Sequence, residues 1–258
     1  MQELSQERHD ERGMPRNALE PSEVSAEDVF AFSQELAGGQ IIRFEDFMKD
    51  AYLDALIEKP WGHEHRVYAD MLIDVWKLML APRQSTSMHC HPRKETVLMC
   101  LAGSLRINFL SHSIRVEAGE YARIPRGVFH STDNVGRGEA HLVEVETPRN
   151  KFDLIRMQDR YGRQGQQYET RNSTLEIAPL LQDPTNPYSK IREQDLQGLF
   201  KFDVLTGHQI KTSRQLPDFA VSLSVVAAIG QRIAIYQSSD AGFSQLESGS
   251  RYLAIARI

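Results

Sequence analysis

Cysteine is nearly absent: two of 258 residues, Cys90 and Cys100, too few for a disulfide framework and without paired-thiol zinc spacing. Both read as reduced structural thiols. No apolar run reaches the roughly 18 to 20 residues that cross a bilayer. The opening stretch MQELSQERHDERGMPRN holds no apolar core of a secretory signal, so a cytoplasmic location and no membrane partner are expected. Excess positive charge is also missing. Thirty Lys and Arg against 35 Asp and Glu leave a net charge of −5, the wrong sign for a nucleic-acid footprint, so no nucleic-acid partner is expected and an anionic ligand needs a local basic cluster. At 41% hydrophobic and 25% charged, the composition is that of a packed globular protein, and 258 residues hold one large domain or two modest ones.

Residues 1–25 are polar and charged with little apolar periodicity, which predicts a mobile tail. Ser25 followed by Asp28 resembles a capping box, Val29, Phe30 and Phe32 supply apolar surface, and Gly38-Gly39 ends the pattern, predicting a helix over about 26–37. Phe44, Phe47, Met48, Ala51, Ala55 and Leu56 recur at helical spacing up to Pro60, so 26–62 reads as a helical N-terminal segment. The period then changes to two. MLIDVWKLML (71–80) is apolar on both faces, as a strand covered on both sides would be, and shorter strands are expected at 96–102, 105–110, 113–117, 121–124 and 138–146. That pattern assigns 63–158 to a sandwich or barrel, 159–190 to a connecting arm, and 191–258 to a β-rich extension.

In STSMHCHPRKET, His89 and His91 lie two apart on a strand and face the same way, with Cys90 facing the other. Glu95 comes after His91, beyond Pro92, where a turn could return its carboxylate to the pair. His130 arrives from a later strand, after the turn marked by Pro125 and Gly127. Three imidazoles and a carboxylate suit one divalent transition metal (Zn, Fe, Mn or Ni) and suit Ca or Mg poorly. His63 and His65 share the two-residue spacing without the accompanying residues, and read as a rim feature. Arg93, Lys94 and Arg123 fall near the ligands in sequence, Arg123 sharing strand parity with Tyr121. With His141 and Arg93, these two are the candidate substrate-binding residues, although core or solvated positions account for them as well. Tyr161 and Arg163 are placed to close over a barrel mouth or to anchor the linker.

These residues resemble the two cupin motifs: His89, His91, Glu95 and Gly103 the first, without its leading glycine, and Gly119, Pro125, Gly127, His130 and Asn134 the second. The resemblance implies an all-β-dominated fold, an antiparallel double-stranded β-helix (the cupin jelly-roll barrel), with N-terminal helices and a C-terminal part that is either a β-rich extension or a degenerate second cupin. Lys59-Pro60-Trp61-Gly62 before the barrel and Glu144 to Pro148 with Asp159 to Arg163 after it are similar to the flanks of the cupin domain in type II phosphomannose isomerases and related nucleotide-sugar cupins. This narrower resemblance implies an isomerase or epimerase acting on a sugar, sugar phosphate or nucleotide sugar, its metal held by His89, His91, Glu95 and His130, its base unassigned, and its subunits paired as a homodimer. An iron-dependent dioxygenase and a non-catalytic sugar-binding or regulatory cupin fit the same residues.

Overall fold

The computed structural model describes residues 18–19, 23–41, 54–163, 175–183, 186–224, 233–238 and 241–258. Most of the expected tail, and residues 42–53 of the expected second helix, lie outside these. Ala18–Leu19 (β1) precedes helix α1, Ala26–Ala37, which is capped by the expected reciprocal pair: Asp28 N donates to Ser25 Oγ, and Ser25 N donates to Asp28 Oδ2. The apolar face of α1 differs from expectation. Ala31 and Phe32 pack on Cys90, Phe129 and Ile155, while Val29 and Phe30 are exposed. The expected 26–62 helical segment is not helical at its end. Ile57–Lys59 (β2) pairs with Gly62–Ala69 (β3), since Leu56 and Ile57 bury in the core next door.

The strands continue as Asp74–Leu80 (β4), Met88–Cys90 (β5), Glu95–Ala102 (β6), Ser104–Phe109 (β7), Ser113–Glu117 (β8), Tyr121–Ile124 (β9), His130–Asn134 (β10), Ala140–Thr147 (β11) and Ile155–Gln158 (β12). Leu181–Gln182 (β13), Lys190–Ile191 (β14), Phe200–Thr206 (β15), Phe219–Ser222 (β16), Ile235–Gln237 (β17) and Arg251–Arg257 (β18) come after, with a short helix Gly207–Thr212 (α2) behind β15. A nine-stranded sheet, β1-β9-β6-β11-β4-β3-β14-β13 with β2 on β3, faces a five-stranded sheet, β12-β5-β10-β7-β8. Between them lies one core of Trp76, Leu78, Leu98, Cys100, Leu105, Ile107 and Leu142, which closes the jelly roll. The third sheet, β15-β18-β16-β17, packs on the far face of the large one, where Val75, Val97, Met99, Val143 and Val145 meet Phe200, Phe202, Phe219 and Leu253. The large sheet is therefore a middle layer buried on both faces, which explains why 71–80 has no polar side. Among the described residues no helix is long and apolar enough to cross a membrane.

Candidate metal centre and its pocket

Backbone register puts the imidazoles together. In the antiparallel pairing of β10 with β5, His130 stands opposite His89, and in that of β12 with β5, Arg156 stands opposite His89 on its other side. Arg156, His89 and His130 thus form one row across a single face of the five-stranded sheet. His91, two residues beyond His89, is fixed by the turn before β10: Gly127 N donates to His91 O at 2.9 Å. Gly127 has φ +77°, a left-handed conformation that a side chain would strain. Asn134 locks the far end of β10, its Nδ2 donating to the carbonyls of Leu80, Ala81 and Gly138 and its Oδ1 accepting from Gly136 N. The ring centroids of the three histidines lie 4.5 to 5.4 Å apart, and their nitrogens within 4.8 Å of one another.

Each Nδ1 faces a backbone carbonyl: His89 to Ser87 O at 2.7 Å, His91 to Asp153 O at 2.7 Å, His130 to Val128 O at 3.1 Å. A carbonyl only accepts, so Nδ1 carries the proton in all three rings and the Nε2 lone pair is left for a ligand. Burial pushes His130 down to about 4 and His89 and His91 well below the usual imidazole range, which keeps all three neutral, as metal binding requires. His91 Nε2 is buried and has no hydrogen-bond partner among the described residues. Three neutral, oriented imidazoles with a buried lone pair unmatched by any donor fit a divalent transition metal.

The opposite wall carries buried charge of both signs. Lys59 Nζ lies 3.6 Å from Glu64, and Lys151 Nζ lies 3.8 Å from Glu64, 3.3 Å from Glu144 and 3.7 Å from Glu146. Lys94 Nζ meets Glu146 Oε1 at 2.5 Å. Burial alone would lower Lys151, but the carboxylates of Glu146, Glu64 and Glu144 outweigh it and push the ammonium above its ordinary range. Burial raises Glu144, with Lys151 opposing. Arg156 and Arg163 complete the lining, Arg163 held by Asp159 at 2.7 Å. Tyr161 is an anchor, its hydroxyl donating to Gln84 Oε1 at 2.7 Å.

The candidates from sequence divide by strand face. His89, His91 and His130 come together; Glu95, Arg123, Tyr121, His141 and Arg93 do not join them. On β6, Leu98 and Cys100 face into the barrel, and Val97 and Met99 face the third sheet. Glu95 has the parity of the outward set, and its carboxylate meets Arg123 Nη1 at 3.5 Å, with the guanidinium 5.6 Å from the Tyr121 ring. Arg93 is exposed, its backbone N donating to Asp153 Oδ2. His141 faces outward on β11, its Nδ1 2.9 Å from Lys77 Nζ. His63 and His65 share that outer face rather than the rim, and His65 is fully buried. Burial lowers Lys77 to about 7, while burial together with the neighbouring Lys77 charge lowers His63 and His141 to about 4.

Sequence reasoning missed Glu144, Glu146, Lys151 and Arg156 as pocket residues, whereas Lys94, expected near the ligands, does line the pocket. The two glutamates carried a signal, since in HLVEVET they share the parity of Leu142, which faces the barrel core.

The cupin domain family matches residues 76–146, so this segment, from β4 through most of β11, is a cupin domain. Over 109 residues the chain is 26% identical to the mannose-1-phosphate guanylyltransferase ManC of Salmonella typhimurium, a match covering 42% of this chain and 23% of that protein. Over 71 residues it is 37% identical to oxalate oxidase 1 of Hordeum vulgare, covering 24% of this chain and 35% of that one. Among solved structures, an oxalate oxidase in complex with glycolate aligns with 27% identity and a TM-score of 0.33, over 41% of this chain and 62% of that one. The chain thus matches about a quarter of the length of the guanylyltransferase relatives.

Proposed function

We propose that the protein is a metal-dependent enzyme that moves a proton within a small anionic sugar derivative, as an isomerase or epimerase. The observation that carries this reading is the grouping of three imidazoles with free Nε2 lone pairs, two of them, His89 and His91, lining a pocket whose walls supply Lys59, Lys151, Arg156 and Arg163. The bound cation would supply Lewis acidity at a substrate oxygen. Arg156, beside His89, lines the pocket with a planar guanidinium of the kind that pairs with a phosphate or carboxylate, its Nε donating to Ser87 Oγ at 3.2 Å and its Nη1 to Arg163 O at 3.3 Å. Glu144 is the proton carrier in this reading. Burial raises its carboxyl above the ordinary range, and Lys151 beside it steadies its charged form. Isomerisation shifts a proton between neighbouring carbons without net oxidation, so the residues named suffice. The guanylyltransferase relatives act, by name, on a mannose phosphate, which supports a sugar-phosphate substrate.

A second reading is oxidation of a small carboxylate with O₂ at the same centre. The 37% identity to oxalate oxidase 1, with a guanidinium beside the histidines, favours it. Elemental analysis of protein purified without added metal tests both. About one transition metal per chain, lost in the His91→Ala/His130→Ala double variant, is expected; metal content unchanged in that variant would refute the centre. Iron or manganese accompanied by O₂ consumption would move the assignment to the second reading.

A further inference from the structure

Resting on that metal centre, we propose that Glu146 of β11 is its carboxylate ligand in place of Glu95, and that Lys94 is the cation that holds this carboxylate when no metal does. The first barrel-facing position of β6 is Thr96, not Glu95. Its hydroxyl is buried and unpartnered, and it is too short and too weakly basic to serve as the carboxylate. Directly across the β6–β11 ladder from Thr96 stands Glu146. The carboxylate on the inner face thus comes from the neighbouring strand.

Among the described residues three buried atoms lack a hydrogen-bond partner here, His91 Nε2, Glu146 Oε2 and the Thr96 hydroxyl. With its Nδ1–H committed to Asp153 O, His91 can only accept at Nε2, and a carboxylate oxygen also only accepts. Ligand atoms of His91, Glu144 and Glu146 lie within 4.8 Å of one another. Neighbouring acceptors without a donor are a costly arrangement that a cation relieves. Glu144 is the weaker choice, because its Oε2 is already taken by Lys151 at 3.3 Å. Glu146 meets Lys94 through its other oxygen, Oε1, at 2.5 Å, and Lys94 Nζ also donates to Asn150 O at 3.2 Å. Lys94 and Glu146 are each about 1% exposed, so neither charge is screened by water. A metal at the histidines and the Lys94 ammonium therefore compete for one carboxylate.

Co²⁺ titration of the full chain, by calorimetry and by the visible absorption of the bound ion, tests this. Glu146→Gln is expected to weaken Co²⁺ binding by roughly tenfold to a hundredfold and to change the absorption bands, whereas Glu95→Gln leaves both as in the wild type. Lys94→Met is expected to bind Co²⁺ about tenfold tighter, because a like charge beside the ion is gone. Wild-type affinity in Glu146→Gln, or a loss in Glu95→Gln, overturns the assignment while leaving the centre standing. Absence of Co²⁺ binding by the wild type overturns the centre itself. Should Glu146→Gln fail to fold, Lys94→Met decides, and unchanged affinity there refutes the competition.

Discussion

Lys77 is a charge buried where a thioether would serve, and Lys77→Met makes a quantitative test of the interface between the middle and third sheets. Lys77 is 1% exposed, its Nζ 2.9 Å from His141 Nδ1, 3.2 Å from Leu78 O and 5.3 Å from the centre of the Phe200 ring, and burial lowers it from 10.5 to about 7. Between those values the unfolded chain holds more protons than the folded one at this site, so wild-type stability rises with pH through that window. At roughly 1.4 kcal/mol per pH unit the whole interval amounts to about 5 kcal/mol of destabilisation, of which about 4 kcal/mol applies at pH 7, where the folded-state amine is about half protonated. Methionine removes that cost and forfeits two hydrogen bonds of about 1 kcal/mol each. The variant should therefore be more stable by about 2 kcal/mol near pH 7, and that advantage should vanish or reverse near pH 10. Urea unfolding of both proteins across that range gives the difference directly, and every group other than Lys77 and those coupled to it cancels. A stability difference that does not change with pH would refute the reasoning, as would a variant destabilised at neutral pH.

The pocket and its scaffold give two further expected outcomes. Arg156→Gln should raise KM for an anionic substrate by roughly tenfold to a hundredfold at unchanged metal content, since a charge-assisted bidentate contact contributes about 1.5 to 3 kcal/mol; steady-state kinetics with parallel elemental analysis checks it. Asn134→Ala should cost about 2 to 4 kcal/mol in chemical denaturation, because three backbone carbonyls and one N–H lose their partner at the end of the strand that carries His130.

The barrel was readable because period-two patterning and turn residues are local. The histidines were readable because a two-residue spacing, with His91 just past the end of β5, and a Pro-x-Gly turn fix their placement. What failed did so through parity. Residues 91–94 form a connection between β5 and β6, so counting from His91 could not say which way Glu95 points, and it points out. His141 does share its face with Val143 and Val145, as its spacing indicates. A sheet buried on both sides gives no sequence cue to which apolar face lines the pocket, and theirs is the outer one. Glu144 and Glu146 were masked by the valines between them. Lys151 and Arg156 lie beyond the motif-bearing segment, where only the tertiary fold returns the chain to the histidines.

That last placement divides the pocket along the chain. His89, His91, His130, Lys94, Glu144 and Glu146 all fall within the matched segment 76–146, whereas Lys59, Lys151, Arg156 and Arg163 fall outside it. The part that would retain an ion and the part that would choose its companion are thus separate stretches of gene. Substitutions in the thirteen codons for residues 151–163 can change the charge and reach presented to a ligand while every imidazole stays in place. Exchanging the side chains at 151, 156 and 163 between related proteins would change what the pocket accepts, while the backbone of the same stretch, through Asp153 O on His91 and β12 on β5, keeps the imidazoles where they are.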